Sequence, residues 1–148
     1  MVRLLILNGP NLNLTGRREP AHYGTDTMEQ IVARVCEAVA GRAELLYFQS
    51  NHEGAIIDRL HADGFGAVDG VILNAGAYTH TSLALADAVA AVEVPVVEVH
   101  MSRVAAREEV RRRSFIAPVC AGSISGFGGD VYRLAAEALI ELCSNKVC

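Results

Sequence analysis

The sequence predicts an α/β protein of three layers, with helices on both faces of a five-stranded parallel sheet. Two observations predict it. Five short β-rich runs, at residues 2–7, 43–48, 70–73, 95–100 and 118–122, are predominantly apolar rather than alternating. Strands buried on both faces of a parallel sheet read this way. Helical patterns separate the runs, and strand–helix alternation implies right-handed crossovers and a doubly wound sheet.

The helices carry start and stop signals. Thr27-Met-Glu-Gln30 fits a capping box and leads into Ile31, Val32, Val35 and Val39, spaced for one apolar stripe, with Gly41 as a stop. Ser50-Asn-His-Glu53 fits a second box, leading into Ile56, Ile57 and Leu60, with Gly64 at its end. A third helix is expected over residues 81–92, a short charged one over 107–113, and a last one over 129–143, followed by a frayed tail at 144–148. Residues 1–148 form one expected domain. Five strands in this length suggest the flavodoxin-like order 2-1-3-4-5. Ligands then bind outside the C-terminal strand ends, at the switch between the first and third strands.

Composition excludes several function classes. Half of the chain is apolar, yet no apolar run reaches membrane-spanning length. Met1-Val-Arg-Leu-Leu-Ile-Leu enters a strand directly, so no signal peptide is expected. Cys36, Cys120, Cys143 and Cys148 form no CxxC pair and read as free thiols of a cytoplasmic protein, without zinc. A net charge of −4 argues against sequence-independent nucleic-acid binding. Twelve of the thirteen basic residues are arginine, and the one lysine is Lys146. A Schiff-base enzyme needs an interior lysine, and a P-loop needs one too.

Three polar segments follow the first, third and fourth strands, where an apolar strand end needs none. The first, residues 8–24, is long for a connection inside a compact domain, which marks a lid or a binding loop. It holds Arg17 and Arg18 a few residues before Tyr23. A tyrosine ionises at pH 7 only at a cost of about 4 kcal/mol. One close arginine can lower an acid's pKa by roughly 1–3, so the loop suggests a tyrosinate base held by arginine. A surface tyrosine with solvated arginines is the alternative. Glu98 and His100, two residues apart, project from the same strand face. A carboxylate beside an imidazole fixes its tautomer and favours its protonated form, as a general acid requires. A buried histidine satisfied by a structural glutamate is equally compatible with the spacing, and only the strand-end position favours catalysis.

Asn11 and Asn74 are the better functional candidates among the asparagines, since Asn8-Gly9-Pro10 suits a turn. His80 either binds a substrate hydroxyl or caps structure. Backbone N–H groups near residues 79–82 and near Met101 and Ser102 can receive an anion. Arg107 and Arg111 share one helical face, and either can reach the crevice. Glu108–Arg112 and Glu109–Arg113 read as ion pairs at i, i+4. This inventory suits proton abstraction beside a carbonyl followed by acid-assisted loss of water from a small polyhydroxy acid.

The chain resembles the type II 3-dehydroquinate dehydratases. The resemblance is carried by Asn8-Gly-Pro-Asn-Leu-Asn-Leu, Arg18-Glu-Pro-Ala-His-Tyr-Gly24, Gln49-Ser-Asn-His-Glu-Gly54, Asn74-Ala-Gly-Ala-Tyr-Thr-His-Thr-Ser82, Glu98-Val-His100 and Ala106-Arg-Glu-Glu-Val-Arg111. It implies that Tyr23 removes the proton beside the ketone of 3-dehydroquinate, Arg18 stabilises that base, and Asn11 positions a water on the enolate. It implies that His100, backed by Glu98, protonates the leaving hydroxyl. Asn74, His80 and Arg111 would hold substrate hydroxyls, and Met101 and Ser102 its carboxylate. The resemblance further implies anti elimination without a cofactor, metal or Schiff base. It also implies trimers assembled into a homododecamer, with Asp87 reaching a neighbouring subunit's site. Arg103 and Ala105 depart from the family's usual asparagine and histidine, and Val110 from a phenylalanine.

Rivals on the same fold predict other features. An FMN- or nucleotide-binding flavodoxin-like module needs a serine- and threonine-rich phosphate loop after the first strand. A receiver-type signalling domain needs clustered acids at the first and third strands and a late lysine. The chain offers neither set.

Overall fold

A computed structural model of the chain describes residues 1–145, the side chain of Tyr23 apart. Five strands, β1 (Val2–Asn8), β2 (Ala43–Gln49), β3 (Gly70–Asn74), β4 (Val96–His100) and β5 (Gly122–Ser125), pair in parallel in the order β2-β1-β3-β4-β5. The alternation of side chains along β1 divides the core. Leu4 and Ile6 face one layer, packed by α2 (Met28–Ala38) and α6 (Asp130–Asn145). Leu5 and Leu7 face the other, packed by α3 (Glu53–Asp63) and α4 (Leu83–Ala91). Two single-turn helices, α1 (Pro20–Tyr23) and α5 (Glu109–Arg112), lie in the loops after β1 and β4.

Helix α2 starts as its sequence dictates. The Thr27 hydroxyl accepts from the Gln30 N–H, and the Gln30 side chain accepts from the Thr27 N–H. Its stripe of Ile31, Val35 and Val39 is buried. The box expected at Ser50 does not form. The Ser50 hydroxyl accepts from the His52 N–H two residues on, a local turn, so His52 becomes the N-cap. Such short-range bonding competes with helix capping.

The fifth strand lies four residues beyond its expected start. Residues Ala117–Val119 form a 3-10 turn, in which Pro118 has no N–H for a ladder. Pairing begins at Gly122, opposite Val97. The misplacement follows from composition: Gly122-Ser-Ile-Ser125 is a short, half-exposed edge strand with little apolar signal. The expected i, i+4 ion pairs of the charged segment are also corrected. Because α5 has a single turn, Glu108 pairs with Arg111 at 2.6 Å, Arg112 donates to the Arg107 carbonyl, and Arg113 lies over Phe115. Helix α6 continues through Ser144 and Asn145, two residues into the segment expected to fray, and the remainder of that segment is outside the described residues.

The segments leaving β1 and β3 are pressed together. The Gly9 N–H donates to the Asn74 carbonyl at 2.7 Å, and a Cβ on Gly9 would lie 2.5 Å from the Ala75 carbonyl oxygen. Neither backbone can yield without breaking the β1–β3 register. Gly9→Ala is therefore expected to destabilise the fold by about 2–3 kcal/mol. Gly54, in the first turn of α3, has open space around it. Gly54→Ala should instead stabilise by about 0.5 kcal/mol through backbone entropy. Urea unfolding of both variants checks the contrast, and equal effects would contradict it.

Candidate active site

The strand order leaves a crevice at the C-terminal edge, where the chain departs from β1, β3 and β4. Its walls include Asn11 and Arg18 from the first loop, Asn74 and His80 from the second, His100, Met101 and Ser102 from the third, and Arg107 and Arg111 around α5. Residues separated by about a hundred positions thus line one concavity.

On one side of the sheet lies an acid–base pair. His100 Nε2 stands 3.3 Å from Glu98 Oε2, and both side chains are almost fully buried. The carboxylate is held by two hydroxyls: Ser114 donates to Oε2 at 2.5 Å and Ser123 to Oε1 at 2.8 Å. Ser114 in turn accepts from the Ala117 N–H at 3.0 Å. Burial pushes the Glu98 carboxyl up, but the hydrogen bonds from His100, Ser114 and Ser123 and the attraction of His100 outweigh it, leaving it below its ordinary value. The carboxylate is therefore kept charged behind the imidazole.

His80 stacks near His100, with ring centroids 6.3 Å apart and planes at 24°. Its Nδ1 is 2.6 Å from the Arg113 carbonyl. A carbonyl only accepts, so Nδ1 carries the proton. The Phe115 N–H donates to the Thr79 carbonyl beside it, so the segment that follows α5 is sewn to the turn Gly76–His80.

On the other side of the sheet lies a neutral set. Asn74 Nδ2 donates to the Tyr132 hydroxyl at 2.9 Å, the Tyr132 hydroxyl donates to Asn8 Oδ1 at 2.8 Å, and the Gly76 N–H donates to Asn74 Oδ1 at 3.2 Å. Asn11 adopts a left-handed backbone, φ 66°, which asparagine tolerates better than most residues. It precedes the turn Leu12–Leu14 without capping it through its side chain, and its N–H is held by Asn51 Oδ1.

The two neighbouring arginines separate. Arg18 lines the crevice, whereas Arg17 lines a groove on the far side of the loop, among Thr27, Met28 and Tyr47. Ser102 Oγ accepts from the buried Arg107 guanidinium at 3.2 Å. Asp87 lies on the exposed face of α4, away from the crevice lining. The backbone of Tyr23 ends α1, and its side chain is outside the described residues. Arg103, Ala105 and Val110 are exposed and do not line the crevice.

A family model, dehydroquinase class II, matches residues 2–140. The chain belongs to the class II dehydroquinase family. It is 54% identical to a 3-dehydroquinate dehydratase of an Exiguobacterium species over 98% of its own length and 99% of that relative's. Among solved structures, the type II dehydroquinase of Butyrivibrio crossotus is similar with a TM-score of 0.90 and 44% identity, covering 93% of this chain and 97% of that one. That of Propionibacterium acnes matches with a TM-score of 0.90 and 35% identity, covering 95% and 97%. The flavodoxin-like sheet order read from the sequence is therefore the dehydroquinase order.

Sequence reasoning did not name Ser114, Ser123 or Tyr132; it left Arg107 and Arg111 both open, the resemblance chose Arg111, and both arginines line the crevice. The serines and the tyrosine meet Glu98 and Asn74 only through tertiary folding, 16, 25 and 58 positions from the residues they hold. Arg107 alone had a signal, its i, i+4 relation to Arg111.

The charged state of Glu98 has a consequence for pH. A carboxyl depressed in the folded state adds stability above its unfolded value, and that contribution is lost as pH falls through the folded value. The ordinary value is 4.5. Below about pH 4.5 the wild type should lose unfolding free energy more steeply than Glu98→Gln. Denaturant titrations from neutral pH downward check this, and parallel losses in the two proteins would contradict it.

Proposed function

We propose that this chain is a type II 3-dehydroquinate dehydratase of the shikimate pathway, on the route to chorismate and the aromatic amino acids. It removes water from 3-dehydroquinate in the anti sense to give 3-dehydroshikimate, through an enolate. The observation that carries this reading is the buried His100–Glu98 pair at 3.3 Å facing the same crevice as Arg18, in a chain of the dehydroquinase family.

Each group has a role suited to its chemistry. Tyr23, as tyrosinate, takes the proton from the carbon beside the ketone. Arg18 stabilises that anion and the charge developing in the transition state. The outward turn of Arg17 supports giving this part to Arg18 alone. Asn11 orients a water against the enolate oxygen. His100 then protonates the departing hydroxyl. With Nε2 against Glu98, Nδ1 is the nitrogen left to deliver the proton. Glu98 stabilises the charged ring and fixes its orientation. Asn74, His80 and Arg111 hold substrate hydroxyls, and the segment at Met101 and Ser102 receives the substrate carboxylate.

The reaction requires no cofactor, metal or Schiff base. The only lysine is Lys146, so an imine would have to form there. The assembly we propose is a cytoplasmic homododecamer built from trimers, in which exposed Asp87 completes a neighbouring subunit's site. No helix among the described residues is long and apolar enough to cross a membrane.

A spectrophotometric assay for enone formation from 3-dehydroquinate, without added metal, tests the activity. Wild type should turn over, while Tyr23→Phe and His100→Ala should each lose about 10²–10⁴-fold in kcat with unfolding midpoints near wild type. An inactive assembled wild type would overturn the assignment, and near-normal turnover by Tyr23→Phe would show that the base lies elsewhere.

A further inference from the structure

Tyr132 is a fully buried phenol of α6 that none of the catalytic roles above uses. Its hydroxyl sits between two asparagines that stand opposite each other in the β1–β3 register, Asn8 and Asn74. A phenol has one proton to give. That proton goes to Asn8 Oδ1, at 2.8 Å, so the phenol oxygen is left as an acceptor for Asn74 Nδ2, at 2.9 Å. The other end of the Asn74 amide accepts from the Gly76 N–H. Turning the amide over would set Oδ1 against an oxygen whose proton is committed, and the amide N–H₂ against a backbone N–H. Both ends therefore reject the flipped orientation.

The choice of side chains is not explained by stability. Asn8 ends β1 at a fully buried position, and its Nδ2 has no hydrogen-bond partner among the described residues. The Tyr47 phenol also interacts with the Asn8 side chain, without completing a hydrogen bond to Nδ2. A buried N–H left unpaired costs roughly 1–3 kcal/mol, which an apolar residue would avoid. What the asparagine adds is Oδ1, the acceptor that aims the Tyr132 proton away from Asn74. Burial also raises the pKa of Tyr132, so the phenol keeps its proton.

We infer that Tyr132 is a positioning residue of the dehydration: together with Asn8 it fixes which way the Asn74 amide faces, so that one N–H of Nδ2 is presented to the substrate. This rests on the function proposed above. Asn74 lines the crevice, and with one amide hydrogen spent on Tyr132 the second remains for a substrate oxygen. Without the phenol, the Gly76 contact alone would hold the amide, and the donor would be correctly placed for only part of the time.

A double-mutant cycle tests this with 3-dehydroquinate as the probe. Tyr132→Phe keeps the ring and removes only the hydroxyl. It should lower kcat/KM by roughly 3–10-fold, the worth of one oriented hydrogen bond, with a near wild-type unfolding midpoint. In the Asn74→Ala background the same substitution should change kcat/KM less than about twofold. Asn8→Ala is the second variant, should Tyr132→Phe not fold. It frees the Tyr132 proton to turn toward Asn74, and its loss should likewise vanish in the Asn74→Ala background. Equal losses in both backgrounds, or no loss at all, would overturn the inference while wild-type turnover leaves the proposed function standing. An inactive wild type would overturn both.

Discussion

The register between β1 and β3 is the constraint on which the crevice depends. It sets Asn8 opposite Asn74, places the Gly9 N–H on the Asn74 carbonyl, and starts both polar loops at the same height. Side chains alternate along a strand, so a slip of one residue would exchange every face. Asn8 would leave Tyr132, and Leu7 would leave its core. The core on both faces makes such a slip costly, and the absence of a Cβ at Gly9 lets the two loops close over the strand ends.

From that register the site divides by sheet face. Toward α2 and α6 lies a neutral chain of amides and a phenol, suited to orienting substrate without adding charge. Toward α3 and α4 lie the Glu98 carboxylate and the His100 imidazole, with their serine hydroxyls. A buried carboxylate is tolerated because it has hydroxyl donors on both oxygens and an imidazole beside it. The proposed base comes from neither face. It arrives on the loop of residues 8–24, a segment held by short turns rather than by the sheet. The proposed acid is thus built on the strands of the sheet and the proposed base on a connection.

Much of this was legible in the sequence where burial leaves a mark. Strands β1, β3 and β4 are largely apolar because both faces are covered, and Glu98 and His100 share a face by parity alone. The fold failed to show where burial fades. The edge strand β5 is short and half-exposed, and the serine at position 50 makes a local turn instead of a cap. The site was legible as far as strand ends could locate it. The residues that hold others in place were not, because a hydroxyl on Ser114, Ser123 or Tyr132 has no periodicity to betray a partner far along the chain. The residues alone left the two adjacent arginines equivalent; the resemblance chose Arg18, and the loop geometry turns Arg18 toward the crevice and Arg17 toward a separate groove.

The central claim is that a base on the first loop and the acid on β4 act on opposite sides of one substrate. The stereochemistry of label loss tests it most directly. 3-Dehydroquinate deuterated stereospecifically at the carbon between its ketone and its leaving hydroxyl would be converted, and the product examined by mass spectrometry. Base and acid on opposite sides predict that the deuterium anti to the leaving hydroxyl is lost and the syn deuterium kept. Loss of the syn deuterium would contradict the assignment of Tyr23 and His100 to opposing faces.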